Sequence, residues 1–167
     1  IRYNPFIHVH LEADSTVKYH SLTDCEVSKI MKLDPTDVYN AFLQIKLLTG
    51  TRTAEALGLR WNDVLMGNKQ IFIRNQLRAE KVPVLIHTTK NYRARKITPP
   101  SIAFEILEKT KPKTFPNKLN NLRLIFCRED GKPLNSEFLH DRLRAVIGRS
   151  NARLHDLRVT AITVLYK

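Results

Sequence analysis

Two stretches of this chain carry side chains whose types and spacing suit work on a phosphate. The first is Leu47 to Trp61, which reads Leu-Leu-Thr-Gly-Thr-Arg-Thr-Ala-Glu-Ala-Leu-Gly-Leu-Arg-Trp. An apolar run reaches Gly50, which can take the left-handed conformation that ends a helix. Thr53 can cap the next helix, with Glu55 in its first turn. Arg52 then lies between two rigid elements, near backbone N–H groups that point at an anion. Taken alone, this stretch fits an ordinary helix–turn–helix corner equally well. The second stretch is Leu154-His155-Asp156-Leu157-Arg158. His155 and Arg158 are three apart, so on a helix they share one face.

Two arginines and a histidine suit phosphodiester chemistry. The transition state of strand cleavage carries extra negative charge on the non-bridging oxygens. Each guanidinium can give those oxygens two N–H bonds in fixed geometry. Preset donors of this kind need no reorganisation during the reaction. The imidazole can hydrogen-bond the phosphate or manage a proton of the nucleophile. No cluster of Asp and Glu suggests a two-metal nuclease, so no metal and no cofactor is expected.

Helical periodicity supplies the elements that must hold these residues. Thr23-Asp24-Cys25-Glu26 has capping-box spacing and predicts a helix through Leu33. Asp34-Pro35 restarts the chain, with Pro35 expected in the first helical turn. Val38, Ala41, Phe42, Ile45 and Leu48 then repeat as the core face of the helix that fixes the Arg52 corner. Leu57, Leu59 and Trp61 are expected beneath it. From Met66 the period changes, and strands are predicted over Gln70 to Asn75, Val82 to His87 and Arg95 to Thr98. A polar link, Thr89 to Ala94, joins the last two as a basic hairpin. Pro99-Pro100-Ser101 opens a helix to about Lys109, with Ile102, Ala103, Ile106 and Leu107 as its apolar face. A polar loop follows from Lys111 to Asn121, and then a buried extended run from Leu122 to Cys127. Asn135-Ser136 caps a helix through Ile147 that Gly148 ends. The last helix opens near Leu154. Leu139-His140-Asp141-Arg142 echoes Leu154-His155-Asp156 but has Leu143, not arginine, three after the histidine, so His140 is read as a surface residue and not a catalytic one.

The order is an arginine in a Thr-Gly-Thr-Arg corner, Lys90 on a hairpin, then His-x-x-Arg on a helix. This resembles the tyrosine recombinase (phage integrase) family, from about Leu22 to the end of the chain. The resemblance implies an α+β fold, a mostly helical catalytic domain with a small antiparallel β-sheet. It places Arg52, Lys90, His155 and Arg158 where the family carries catalytic residues. Lys90 would be the general acid that protonates the leaving 5′-oxygen. Glu55 has two readings, a helix-dipole carboxylate or a buried partner that orients an arginine, and the resemblance favours the second. The family's nucleophile is a tyrosine that forms a 3′-phosphotyrosyl link. Tyr166 would sit about 12 Å along a continuous helix from Arg158, a poor position for attack, so no nucleophile is expected in this chain. The resemblance also implies tetramer assembly on DNA at full length. Residues 1–20 read as a linker from a missing N-terminal DNA-binding domain, and residues 21–167 as a catalytic domain cut before its tyrosine.

Charge supports a nucleic-acid partner independently. The 167 residues carry a formal charge of +12 and a pI near 10.0, which implies a polyanion, most simply double-stranded DNA. Arg74, Arg78, Arg93, Arg95 and Lys96 crowd the predicted sheet, and Arg149 and Arg153 flank the last helix. All seven are expected DNA contacts. A solvated charged edge is the competing explanation for the sheet cations. Cys25 and Cys127 have no C-x-x-C partner, so no zinc module is suggested. His8 and His10 share a strand face but have no third ligand near. No apolar run is long enough to span a membrane and no signal peptide is visible. A cytoplasmic protein encoded by a bacterium or phage is expected. A non-catalytic DNA-binding module and a basic RNA-binding protein remain as alternative functions.

Overall fold

A computed structural model describes residues 20–78, 84–86, 94–114 and 118–165. Among the described residues, six α-helices and five short strands run in the order α1 (Asp24–Met31), α2 (Val38–Thr49), α3 (Thr53–Leu57), β1 (Val64–Leu65), β2 (Gln70–Ile73), β3 (Gln76–Arg78), β4 (Val84–Ile86), β5 (Arg95–Ile97), α4 (Ser101–Thr114), α5 (Ser136–Ile147) and α6 (Leu154–Thr160). A 3₁₀ turn, Trp61–Asp63, precedes β1, and a π-helical turn, Ala161–Leu165, continues α6. The architecture is α+β and mostly helical, with small antiparallel sheets, as the sequence implied.

The α2 helix is the centre. Every residue from Asn40 to Thr49 is buried, so its periodic face understates its burial. Helices α1, α3, α4, α5 and α6 all pack on it. Phe42 meets Phe126 edge-on with ring centroids 5.2 Å apart. Its buried polar residues tie down the neighbours. Gln44 Nε2 donates to the Ile30 and Leu33 carbonyls at the end of α1, at 3.1 and 2.9 Å. Asn40 Oδ1 accepts from Arg142 of α5 at 2.9 Å.

Local signals set most helix ends. Thr23 and Glu26 form the expected reciprocal cap on α1. Asn135 caps α5 and left-handed Gly148 ends it. Two expected caps are displaced. Helix α2 starts at Val38, where Asp37 Oδ1 accepts from Tyr39 N at 2.8 Å, so Pro35 stays in the preceding turn. Helix α3 starts at Thr53 itself with Arg52 as the cap residue. The Glu55 carboxylate makes the cap instead, accepting from Arg52 N at 3.0 Å.

The strand pairing differs from a simple hairpin. Strands β1, β2 and β5 form one antiparallel sheet, and β3 pairs with β4 in another. In the first, Phe72 faces Lys96 and Ile73 faces Arg95 across the β2–β5 pair. The predicted neighbours β4 and β5 therefore belong to different sheets. The short strands β1 and β3 carry too few residues for a period to show. Helix α4 runs to Thr114 through Pro112, past the predicted stop, and Ile102 on its expected apolar face is 41% exposed. Of the run Leu122 to Cys127 predicted as buried, Leu124 to Cys127 is buried and pairs through isolated bridges, whereas Leu122 and Arg123 are exposed.

Candidate functional site

The site forms where the C-terminus of α2 meets the N-termini of α3 and α6. Gly50 ends α2 with φ +60, a conformation that favours glycine. A Cβ there would also lie 3.2 Å from the Ala161 side chain, so this close approach lets α6 cross the corner. Arg158, half-buried on α6, donates through Nη1 to the Gly50 carbonyl. The last helix thus docks directly on the corner that presents Arg52.

Leu154 and Leu157 are buried, whereas His155 is exposed and Arg158 half-buried. Anchoring the apolar positions turns His155 and Arg158 toward the outer face of α6, as three-residue spacing requires. Asp156 Oδ2 accepts from Arg153 N at 2.9 Å and closes the first turn of the helix.

Glu55 organises the cations. It is 1% exposed, beside an Arg52 side chain that is 40% exposed. Its Oε1 accepts from Arg52 Nη1 at 3.2 Å and from Arg95 Nη1 at 3.1 Å. Its Oε2 accepts from Arg95 Nη2 at 2.8 Å. Burial alone would raise its pKa, but the Arg95 hydrogen bonds, the Arg52 backbone N–H and the Arg95 charge bring it down to about 2. Glu55 thus both caps the first turn of α3 and pairs with two arginine side chains.

One carboxylate cannot neutralise this cluster. Burial and then the Arg52 charge lower the pKa of Arg158, with Arg95 adding to the effect. The guanidinium nevertheless stays protonated, given its high intrinsic pKa. Partial shielding of the His155 ring, then Lys46 and Arg158, lower its pKa from 6.5. The imidazole is therefore mostly neutral at pH 7. The net positive field, half open to solvent, suits an anion.

The other expected contacts divide. Arg95 serves Glu55, a role that its place among the sheet cations concealed. Arg74 binds the buried Asp63 carboxylate, which Asn75 also holds at 2.8 Å. Lys96 is exposed, its Nζ 4.8 Å from the Phe72 ring centroid. Arg78 and Arg153 are exposed. The Arg149 guanidinium lies between Glu26 of α1 at 3.5 Å and Asp156 of α6 at 3.6 Å, partly exposed, and braces the two helices. His140 is half-buried, with a shielded Nδ1, and is not the surface residue expected. Lys90, Arg93 and Tyr166, as well as His8 and His10, lie outside the described residues.

Sequence reading missed Lys46. It is wholly buried in α2, and its Nζ donates to the Thr51 carbonyl at 2.7 Å. Its signal was a single cation inside Ala41 to Leu48, a run otherwise apolar except for Gln44.

Fold and site together define a mostly helical domain that holds Arg52 and Arg95 on a buried glutamate and docks the helix of His155 and Arg158 on the same corner. The sequence model of the phage integrase family matches residues 20–167. The chain belongs to that family, the tyrosine recombinases. No curated protein matches it. Among solved structures it resembles the Tn1549 transposon integrase in complex with transposon right end DNA, with a TM-score of 0.76 and 20% identity over 99% of this chain. It also resembles the XerA recombinase, at a TM-score of 0.67 and 15% identity over 90% of the chain and 50% of that protein. XerH site-specific recombinase bound to its difH substrate aligns at 0.61, with 22% identity over 95% of this chain and 46% of that one. The chain spans about 60% of the Tn1549 integrase structure. No helix among the described residues is long and apolar enough to cross a membrane.

Proposed function

We propose that this chain is the catalytic domain of a site-specific DNA recombinase of a mobile element, acting by strand cleavage and rejoining. The observation that carries the proposal is the Arg158 guanidinium on the Gly50 carbonyl. It brings the His-x-x-Arg helix to the arginine corner, so one phosphate can meet both arginines. Arg52 and Arg158 bind the non-bridging oxygens of the scissile phosphate, and Glu55 and Arg95 keep Arg52 in place. His155, mostly neutral, accepts or donates a hydrogen bond at the phosphate.

A tyrosine hydroxyl, giving its proton to the neutral His155 imidazole, attacks phosphorus and forms the 3′-phosphotyrosyl bond as the bond to the 5′-oxygen breaks. Lys90 gives the leaving oxygen its proton. The phosphoester is conserved in the covalent intermediate, so rejoining is the reverse attack and needs no ATP. The active assembly is a tetramer on double-stranded DNA. The test is single-turnover cleavage of a nicked suicide duplex by the full-length protein. Arg52→Ala and Arg158→Ala should each abolish the covalent protein–DNA band. Cleavage that persists in both variants overturns the proposal.

A further inference from the structure

We propose that Lys46 is a positioning residue of this site, fixing the Arg52 corner through the Thr51 carbonyl and placing a further positive charge beneath a bound phosphate. The inference rests on the phosphate reading above.

The geometry is specific. Gly50 and Thr51 follow the end of α2, where backbone carbonyls lack helical partners. Each receives a cationic side chain from a different helix: Gly50 from Arg158 of α6, and Thr51 from Lys46 of α2 at 2.7 Å. The hydroxyls of Thr49 and Thr51 also meet at 2.9 Å. The peptide that leads into Arg52 is therefore held by side-chain bonds from α2 and α6. A neutral donor would satisfy the Thr51 carbonyl without the desolvation that a buried ammonium suffers. The choice of lysine points to a use for its charge.

The surroundings of Lys46 make that charge responsive. Arg158 and Glu55 act on it from α6 and α3, while Arg52, Arg95 and His155 complete the charged group above the corner. Burial, then Arg158, lower its pKa from 10.5 to about 7, with Glu55 opposing. A phosphodiester seated between Arg52 and Arg158 adds negative charge and raises the proton affinity of Lys46. Above about pH 8 the free protein then holds the lysine mostly neutral while the complex holds it charged. Binding takes up a proton, and affinity falls as pH rises, by at most about tenfold per pH unit.

The test is a fluorescence anisotropy titration of the 167-residue chain with a short duplex, from pH 6 to 9 at constant ionic strength. Calorimetry in buffers of different ionisation heat counts the protons. Wild type should lose roughly thirtyfold in affinity between pH 7 and 9 and take up most of one proton at pH 8. Lys46→Met should bind weakly with that step removed. Lys46→Arg, whose guanidinium stays charged, should bind tightly with no step, and it serves if Lys46→Met does not fold. His155→Gln should keep the step. Absence of proton uptake in wild type overturns the proposal without any variant. Identical pH profiles in wild type and Lys46→Met overturn it too, provided Arg158→Ala weakens binding. If Arg158→Ala binds as wild type does, the phosphate reading itself fails.

Discussion

Glu55 and Arg95 lie 40 residues apart in sequence and form a two-pronged ion pair, with N···O distances of 3.1 and 2.8 Å. The same carboxylate holds the Arg52 guanidinium at 3.2 Å. A single buried acid thus couples the sheet to the arginine corner. Removing it would leave two arginines that repel each other at the mouth of the site.

This pair makes the fold acid-sensitive in a defined window. The Glu55 carboxyl stands at about 2 against an ordinary 4.5. A lowered carboxyl pKa contributes stability that is complete above 4.5 and is lost as pH falls toward 2. The contribution is at most about 3 kcal/mol, reduced because the partner arginines are partly solvent-screened. In urea titrations, the stability difference between wild type and Glu55→Gln should be largest at pH 6 and shrink steadily between pH 4.5 and 2. A difference that does not change with pH would show that Glu55 acts by shape alone.

The arginines and Lys90 should separate by leaving group in the full-length protein. Arg52→Ala and Arg158→Ala each remove a preset donor, with an expected barrier increase of roughly 3 to 4 kcal/mol. Both side chains are partly exposed, so neither change opens a core cavity. A 5′-bridging phosphorothiolate substrate has a leaving group that needs no proton. It should restore much of the cleavage lost in Lys90→Ala and little of that lost in either arginine variant. Equal rescue of all three, in single-turnover rates, would mean that the roles are misassigned.

Duplex binding by the 167-residue chain should be weak, with little sequence preference and strong salt dependence. Log affinity should fall linearly with log salt as counterions are released. Lys96→Ala and Arg153→Ala, both at exposed sites, should reduce the slope. Arg149→Ala should leave the slope unchanged and lower thermal stability, because its guanidinium braces Glu26 and Asp156. An affinity indifferent to salt would rule out phosphate contacts as its source.

The chain should form no covalent adduct with a nicked suicide duplex. The basis is the short sequence separation of Tyr166 from Arg158, eight residues. A shifted band on a denaturing gel that disappears in Tyr166→Phe would identify Tyr166 as the nucleophile.

The sequence by itself determined what depends on neighbours in the chain. Thr23 with Glu26, Asn135 with its helix, and Gly50 and Gly148 at helix ends are local hydrogen-bonding and backbone preferences, so they were legible. The His155–Arg158 pair shares a face because helical periodicity requires it. Tertiary structure decided what depends on distant partners. No local rule states that Arg95 will meet Glu55, because the β2–β5 pairing brings it there. Arg149 pairs with carboxylates on two other helices. Lys46 reads locally as a cation on a helix, and only the packing of α6 and the other helices around α2 buries it. Charge counted along the chain is therefore a guide to the partner. Which cations remain open to that partner was decided by where the carboxylates fell in space.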